Sequence, residues 1–186
     1  KCKEKTDCLQ RNCVNPECRA IEMYVKNKRN DEEYCLKMIK ECQFTCCCLN
    51  RPKIEIFYTE NGHDDYLGKV IDNWDCCHFT FGIFDDKDTQ IYKVRGSRCQ
   101  LGILCACPCD QCQEVNFELQ PPDGNPIGGI QKRGRGCLKN ALGDADRFNV
   151  PFPPNSPWQH KALLLGVALM IDYRMFENKN GGNGSY

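Results

Sequence analysis

The sequence has no net charge: Lys plus Arg and Asp plus Glu both number 25. Attraction of the whole chain to nucleic acid or to an anionic membrane is thereby excluded, and any such contact must come from a local cluster. Histidine is scarce, three in 186 residues, and none is spaced as the base of a catalytic triad. A glycine loop that could cradle phosphate and a dense carboxylate pair are also lacking, so an enzyme reading has no residues to carry it. Long apolar runs are missing as well. The run Ala162 to Ile171 has ten residues, whereas a bilayer-spanning helix needs roughly 20 and a run of about 10 to 14 is more often a core helix.

What the chain does have is cysteine, 17 of 186 residues. In a short secreted protein that density marks a disulfide scaffold. Here the count is odd and thiols stand side by side, at Cys46-Cys47-Cys48 and Cys76-Cys77. Adjacent Cβ atoms point to different partners and rarely build ordinary bridges. A reduced population facing the cytosol is therefore expected, with a secreted, disulfide-rich structural protein as the alternative.

Along the chain a pattern recurs. Its first copy, about residues 20–73, runs IEMYV, a polar turn, YCLKMIKEC, the cluster CCC, KIEIFY, a second turn and YLGKVI. The second, about 79–132, runs FTFGIF, DDKDTQ, IYKVRGSRC, the loop CACPCDQC, EVNFEL, QPPDGN and PIGGIQ. Each copy reads as hairpin, cysteine loop, hairpin, with near period-2 alternation and turns rich in Asn, Asp, Gly and Pro. Two copies predict an internally duplicated antiparallel sheet that closes into a barrel or sandwich. The last third changes character. Ser156-Pro157 supplies a cap and a proline at the first helical position, and the sequence that follows predicts a helix over about 157–178. Apolar on all sides, that helix is expected inside the barrel. Residues 1–178 then form one domain and 179–186 a flexible tail.

The duplicated hairpins with a polycysteine loop, the segment GDADRFNVPFP (143–153) and KALLLGVALMIDYRMFE (161–177) resemble the phospholipid scramblase family. The resemblance implies a tubby-like fold, a closed antiparallel barrel enclosing a hydrophobic C-terminal helix. It implies further strands and a proline-rich tail upstream of residue 1. The implied activity is calcium-stimulated, ATP-independent, bidirectional movement of phospholipids across a membrane, which is translocation and not bond chemistry. The implied location is the cytoplasmic face of the plasma membrane, with the nucleus as a second compartment. A lipid-anchored adaptor, or a nuclear module binding protein or DNA without scrambling, is the alternative from another class.

Residue by residue, the resemblance makes Cys46, Cys47 and Cys48 a palmitoylation cluster. The family run continues through Pro to two more cysteines, whereas here Leu49-Asn50 follow; two acyl chains still suffice for stable anchoring. The loop holding Cys105, Cys107, Cys109 and Cys112 offers donors for zinc or for disulfides, and four ligands packed so tightly need help from elsewhere, with Cys8, Cys13 and Cys76-Cys77-His78 as candidates. The family's calcium segment falls on Asp144, Asp146, Phe148, Val150, Phe152 and Asn155. Two carboxylates open it as in an EF-hand, but Asn149 stands where Gly would turn the loop and Asn155 where a bidentate carboxylate would close it. Weak calcium binding is expected, and a capped Asx turn is the plainer reading. Lys132, Arg133, Arg135 and Lys139 align with a nuclear-import segment, which implies importin or DNA as alternative partners; the same charges suit anionic headgroups or a solvated face. Oligomerisation is open.

Overall fold

A computed structural model describes residues 2–5, 20–26, 34–43, 49–104, 114–122, 124–133 and 147–175. Ten strands follow one another: β1 (Cys2–Lys5), β2 (Ile21–Lys26), β3 (Tyr34–Lys40), β4 (Lys53–Glu60), β5 (His63–Asn73), β6 (His78–Asp85), β7 (Gln90–Ser97), β8 (Glu114–Gln120), β9 (Gly128–Arg133) and β10 (Arg147–Asn149). A short helix, α1 (Leu101–Leu104), follows β7, and α2 (Trp158–Met175) ends the described chain. Each strand pairs with its sequence neighbour in a single sheet of order β1 to β10, antiparallel throughout. The eight strands read from the two copies are β2 to β5 and β6 to β9. The flanking strands β1 and β10 were not foreseen, β10 because its three residues lie within the segment read as a calcium loop.

Alternation sends one set of side chains to one face, as a half-buried strand requires. Ile54 and Ile56 of β4, Phe81 and Ile83 of β6, and Val115, Phe117 and Leu119 of β8 are almost fully buried. They join Leu163, Leu164, Val167, Met170 and Ile171 of α2 in one core. Helix α2 lies against β4, β5 and β6. Gly166 makes the close approach: a Cβ there would stand 3.0 Å from Ile56 Cδ1. The sheet also bends locally. Ile56 pairs with Gly68 and Phe57 with Tyr66, so Leu67 is an extra residue and β5 carries a bulge. Gly68 has φ +143°, and a Cβ would lie 2.1 Å from the Phe84 carbonyl oxygen; only glycine fits there.

Two expectations about the helix need correction. Ser156 does not cap through a helical amide: its Oγ donates to Pro153 O at 2.8 Å, and the first turn closes from Lys161 N to Pro157 O, so α2 starts at Trp158. Nor is the apolar run buried all round. Leu165 is 38% exposed and Trp158 50%, and with Lys161 they form a stripe along one flank. The described strands leave that flank open. The described part of the protein is thus a mainly β antiparallel sheet with a C-terminal helix packed against it, and the ladder runs from β1 to β10 without a pair joining those two among the described residues. Residues 179–186 lie outside the described residues.

Candidate functional site

Because the strands alternate in direction, their connections alternate between two ends of the sheet. The β3–β4, β5–β6, β7–β8 and β9–β10 connections share one end. Among the described residues, that end carries the exposed thiols Cys42, Cys76, Cys77 and Cys99. No spacing in the sequence reveals this, since these residues are far apart in the chain and share an end only through the meander. Exposed apolar side chains cluster in the same connections: Leu49 is 68% exposed, Trp74 53%, Leu101 55% and Leu104 69%.

Beneath this end the core is capped by charge. Lys40, Asp72 and Lys132 lie on inward-facing positions of β3, β5 and β9 and are almost wholly buried. Asp72 pairs with Arg51 Nη2 and with Arg174 Nε of α2 at 3.2 Å, while its carbonyl accepts from Arg51 Nε at 2.9 Å. Burial pushes the Asp72 carboxyl above its ordinary range, and Arg51, Arg174 and Arg98 pull the other way. Lys40 Nζ lies over the Tyr173 ring at 4.7 Å. This cap ties the C-terminal end of α2 to the sheet, and sequence reasoning missed it; the one cue was a charged residue on the inward-facing alternation of β5, Asp72 two residues after Val70.

The expected site residues fall as follows. Lys132 points inward, with Nζ 6.0 Å from the Phe148 ring centroid. Arg133 is exposed and pairs with Glu114 at 3.2 Å. Together with Arg147, Phe148 and Asn149 they line a groove of about 340 Å³, so two residues of the basic cluster meet residues from the calcium segment. Phe148 and Val150 pack against the core, Phe152 is exposed, and Asn155 sits at a turn with φ +59°. Asp144, Asp146, Arg135, Lys139, Cys46, Cys47, Cys48, Cys105, Cys107, Cys109, Cys112, Cys8 and Cys13 lie outside the described residues. Among the described residues, no group of three or more His, Cys, Asp or Glu side chains is placed to hold a metal ion. Cys35, Cys42, Cys76, Cys77 and Cys99 are free thiols.

A second groove, of about 230 Å³, runs along the open flank of α2 between Leu36, Tyr58, Trp158 and Leu165. It is at the opposite end from Cys42, Cys76, Cys77 and Cys99, because α2 begins where β4 ends. No described helix is long and apolar enough to cross a membrane.

Comparison with known proteins decides the family. A profile of the Scramblase family matches residues 1–178. The chain belongs to the Scramblase family. Human phospholipid scramblase 1 is 31% identical over 176 residues, covering 94% of this chain and 52% of that protein. Bovine phospholipid scramblase 2 is 29% identical, covering 96% and 57%; human phospholipid scramblase 4 is 28% identical, covering 76% and 41%. The chain thus spans about half the length of these scramblases. No solved structure matches.

Proposed function

We propose that this scramblase-family chain moves phospholipids between the leaflets of a membrane, in both directions, without ATP and with stimulation by calcium. The observation that carries the reading is the family match over residues 1–178. We place the protein at the cytoplasmic face of the plasma membrane, anchored by acyl chains on Cys46, Cys47 and Cys48. Exposed Leu49, Trp74, Leu101 and Leu104 share that end of the sheet, which supports it as the membrane-facing end, since aromatic and apolar side chains favour the headgroup boundary. The sheet closes as a tubby-like barrel around α2 in this reading, and the buried helix residues support it. Calcium binds weakly through Asp144 and Asp146 in this reading. A route for lipid is not supplied by α2 itself, which lies against strands.

The calcium arm is tested by calorimetry on the parent and on Asp144→Ala. A dissociation constant on the order of millimolar, as in poorly charged sites, is expected, and weaker in the variant. Micromolar affinity, or binding untouched by the substitution, contradicts the assignment. The anchor is tested by replacing Cys46, Cys47 and Cys48 with Ala, which is expected to move the protein from the membrane to the soluble fraction; unchanged partition sinks it.

A further inference from the structure

Cys76 and Cys77 occupy the connection between β5 and β6, and their Sγ atoms stand 3.4 Å apart with both residues exposed. Adjacent cysteines in an extended segment point to opposite sides. Here the turn is held so that they do not. Asp75 Oδ1 accepts from Cys77 N at 3.0 Å and from His78 N at 3.1 Å, and its Oδ2 accepts from Thr80 Oγ1 at 3.1 Å. Arg98, beyond the end of β7, clasps the turn from outside: its Nη2 donates to Asp75 O at 3.0 Å, its Nε to His78 O at 3.2 Å, and its backbone N to Cys77 O at 3.2 Å. The guanidinium lies over Phe79, 4.6 Å from the ring centroid. Amides bound to Asp75 hold its carboxyl down at about 2, so this brace stays charged across the physiological range.

We propose that Cys76 and Cys77 are a two-electron thiol modification site, closed to an intramolecular disulfide by hydroperoxides. One thiolate attacks the distal oxygen of the peroxide, the O–O bond breaks, and the alcohol leaves with a proton, giving a sulfenic acid. The neighbouring thiol attacks that sulfur, the S–S bond forms, and the hydroxyl leaves with the second thiol's proton as water. The pair loses two electrons and two protons, and the peroxide is reduced to alcohol and water. The ring joining sequence neighbours is small, and the Cys77 amide and carbonyl are both tied down, so the closed form is strained. Strained, exposed disulfides are the readily reduced ones, which makes the site reversible and separates it from a structural staple. Another exposed thiol of this end, Cys99, follows Arg98 directly.

Trypsin isolates the pair, because the fragment 70–87 contains Cys76 and Cys77 and no other cysteine. The folded, reduced chain is treated with hydrogen peroxide, alkylated with iodoacetamide, digested and weighed. The expected product is fragment 70–87 lacking two hydrogens, unalkylated, unlinked to any other peptide and restored to a doubly alkylated form by prior thiol reduction. In Cys77→Ser the two-hydrogen loss is expected to vanish and Cys76 to appear as its sulfenic or sulfinic acid. Recovery of a doubly alkylated fragment while other thiols are oxidised overturns the proposal. So does a cross-link from this fragment to the Cys99 peptide, or a two-hydrogen loss that reducing agent does not reverse.

Discussion

Changing Leu164 to Asp is expected to lower the thermal midpoint of unfolding by roughly 10 °C or more, through a loss above about 4 kcal/mol. Leu164 is 0% exposed, and a carboxylate there would have to stay unpaired inside the core or force the helix away. Its neighbour supplies the control. Leu165 is 38% exposed on the open flank, so Leu165→Asp places a charge within reach of water and should cost only a fraction as much. Thermal unfolding of both variants in detergent-free buffer measures the contrast. Equal midpoints for the two would mean that α2 is not packed on the sheet by the face described above; an unchanged midpoint for Leu164→Asp would make helix and sheet separate units.

The second large effect is expected at the charged cap. Asp72→Ala removes a carboxylate that is 3% exposed and shared by Arg51 and Arg174. Breaking a buried pair from one side typically costs about 3–5 kcal/mol. Asp72 and Asp75 also act oppositely with pH. Burial raises the Asp72 carboxyl above its unfolded value, so the folded state holds more protons there and the contribution of this group falls as pH rises through that window. Asp75 is depressed to about 2; its contribution is fully present above the unfolded value near 3.8 and is lost as pH falls towards 2. Urea unfolding of parent and Asp72→Ala from pH 2 to 8 reads both. A variant as stable as the parent throughout would show that the two arginines find water or other partners, and the cap would lose its role.

Strand positions were legible because alternation is a local signal. Val115, Phe117 and Leu119 separated by polar residues can bury one face only as a strand, and DDKDTQ between two such runs reads as a hairpin turn. The helix was legible in existence and, to within one residue, in its start. Its environment was not: Leu163, Leu164 and Leu165 look alike in sequence, and only the angular position of Leu165 relative to β3 and β4 leaves it exposed. Lys132 was read with Arg133 as one basic cluster, yet the β period places them on opposite faces, one inward beside Phe148 and one at the surface beside Glu114. The cysteine groups were visible as groups, while the common end of Cys42, Cys76, Cys77 and Cys99 depends on strand direction. The Asp72 pairs escaped notice because Arg51, Asp72 and Arg174 are distant in sequence and joined only by packing.

Leaflet exchange in reconstituted vesicles tests the central claim most directly. The 186-residue chain is incorporated into liposomes carrying a fluorescent phospholipid in both leaflets, and a membrane-impermeant reductant quenches the outer leaflet. With calcium and without ATP, quenching is expected to continue past the outer-leaflet fraction as inner-leaflet lipid is delivered outward, and to slow when calcium is chelated. Quenching that stops at the outer-leaflet fraction, in vesicles shown to contain the folded protein and calcium, would contradict lipid movement by this chain.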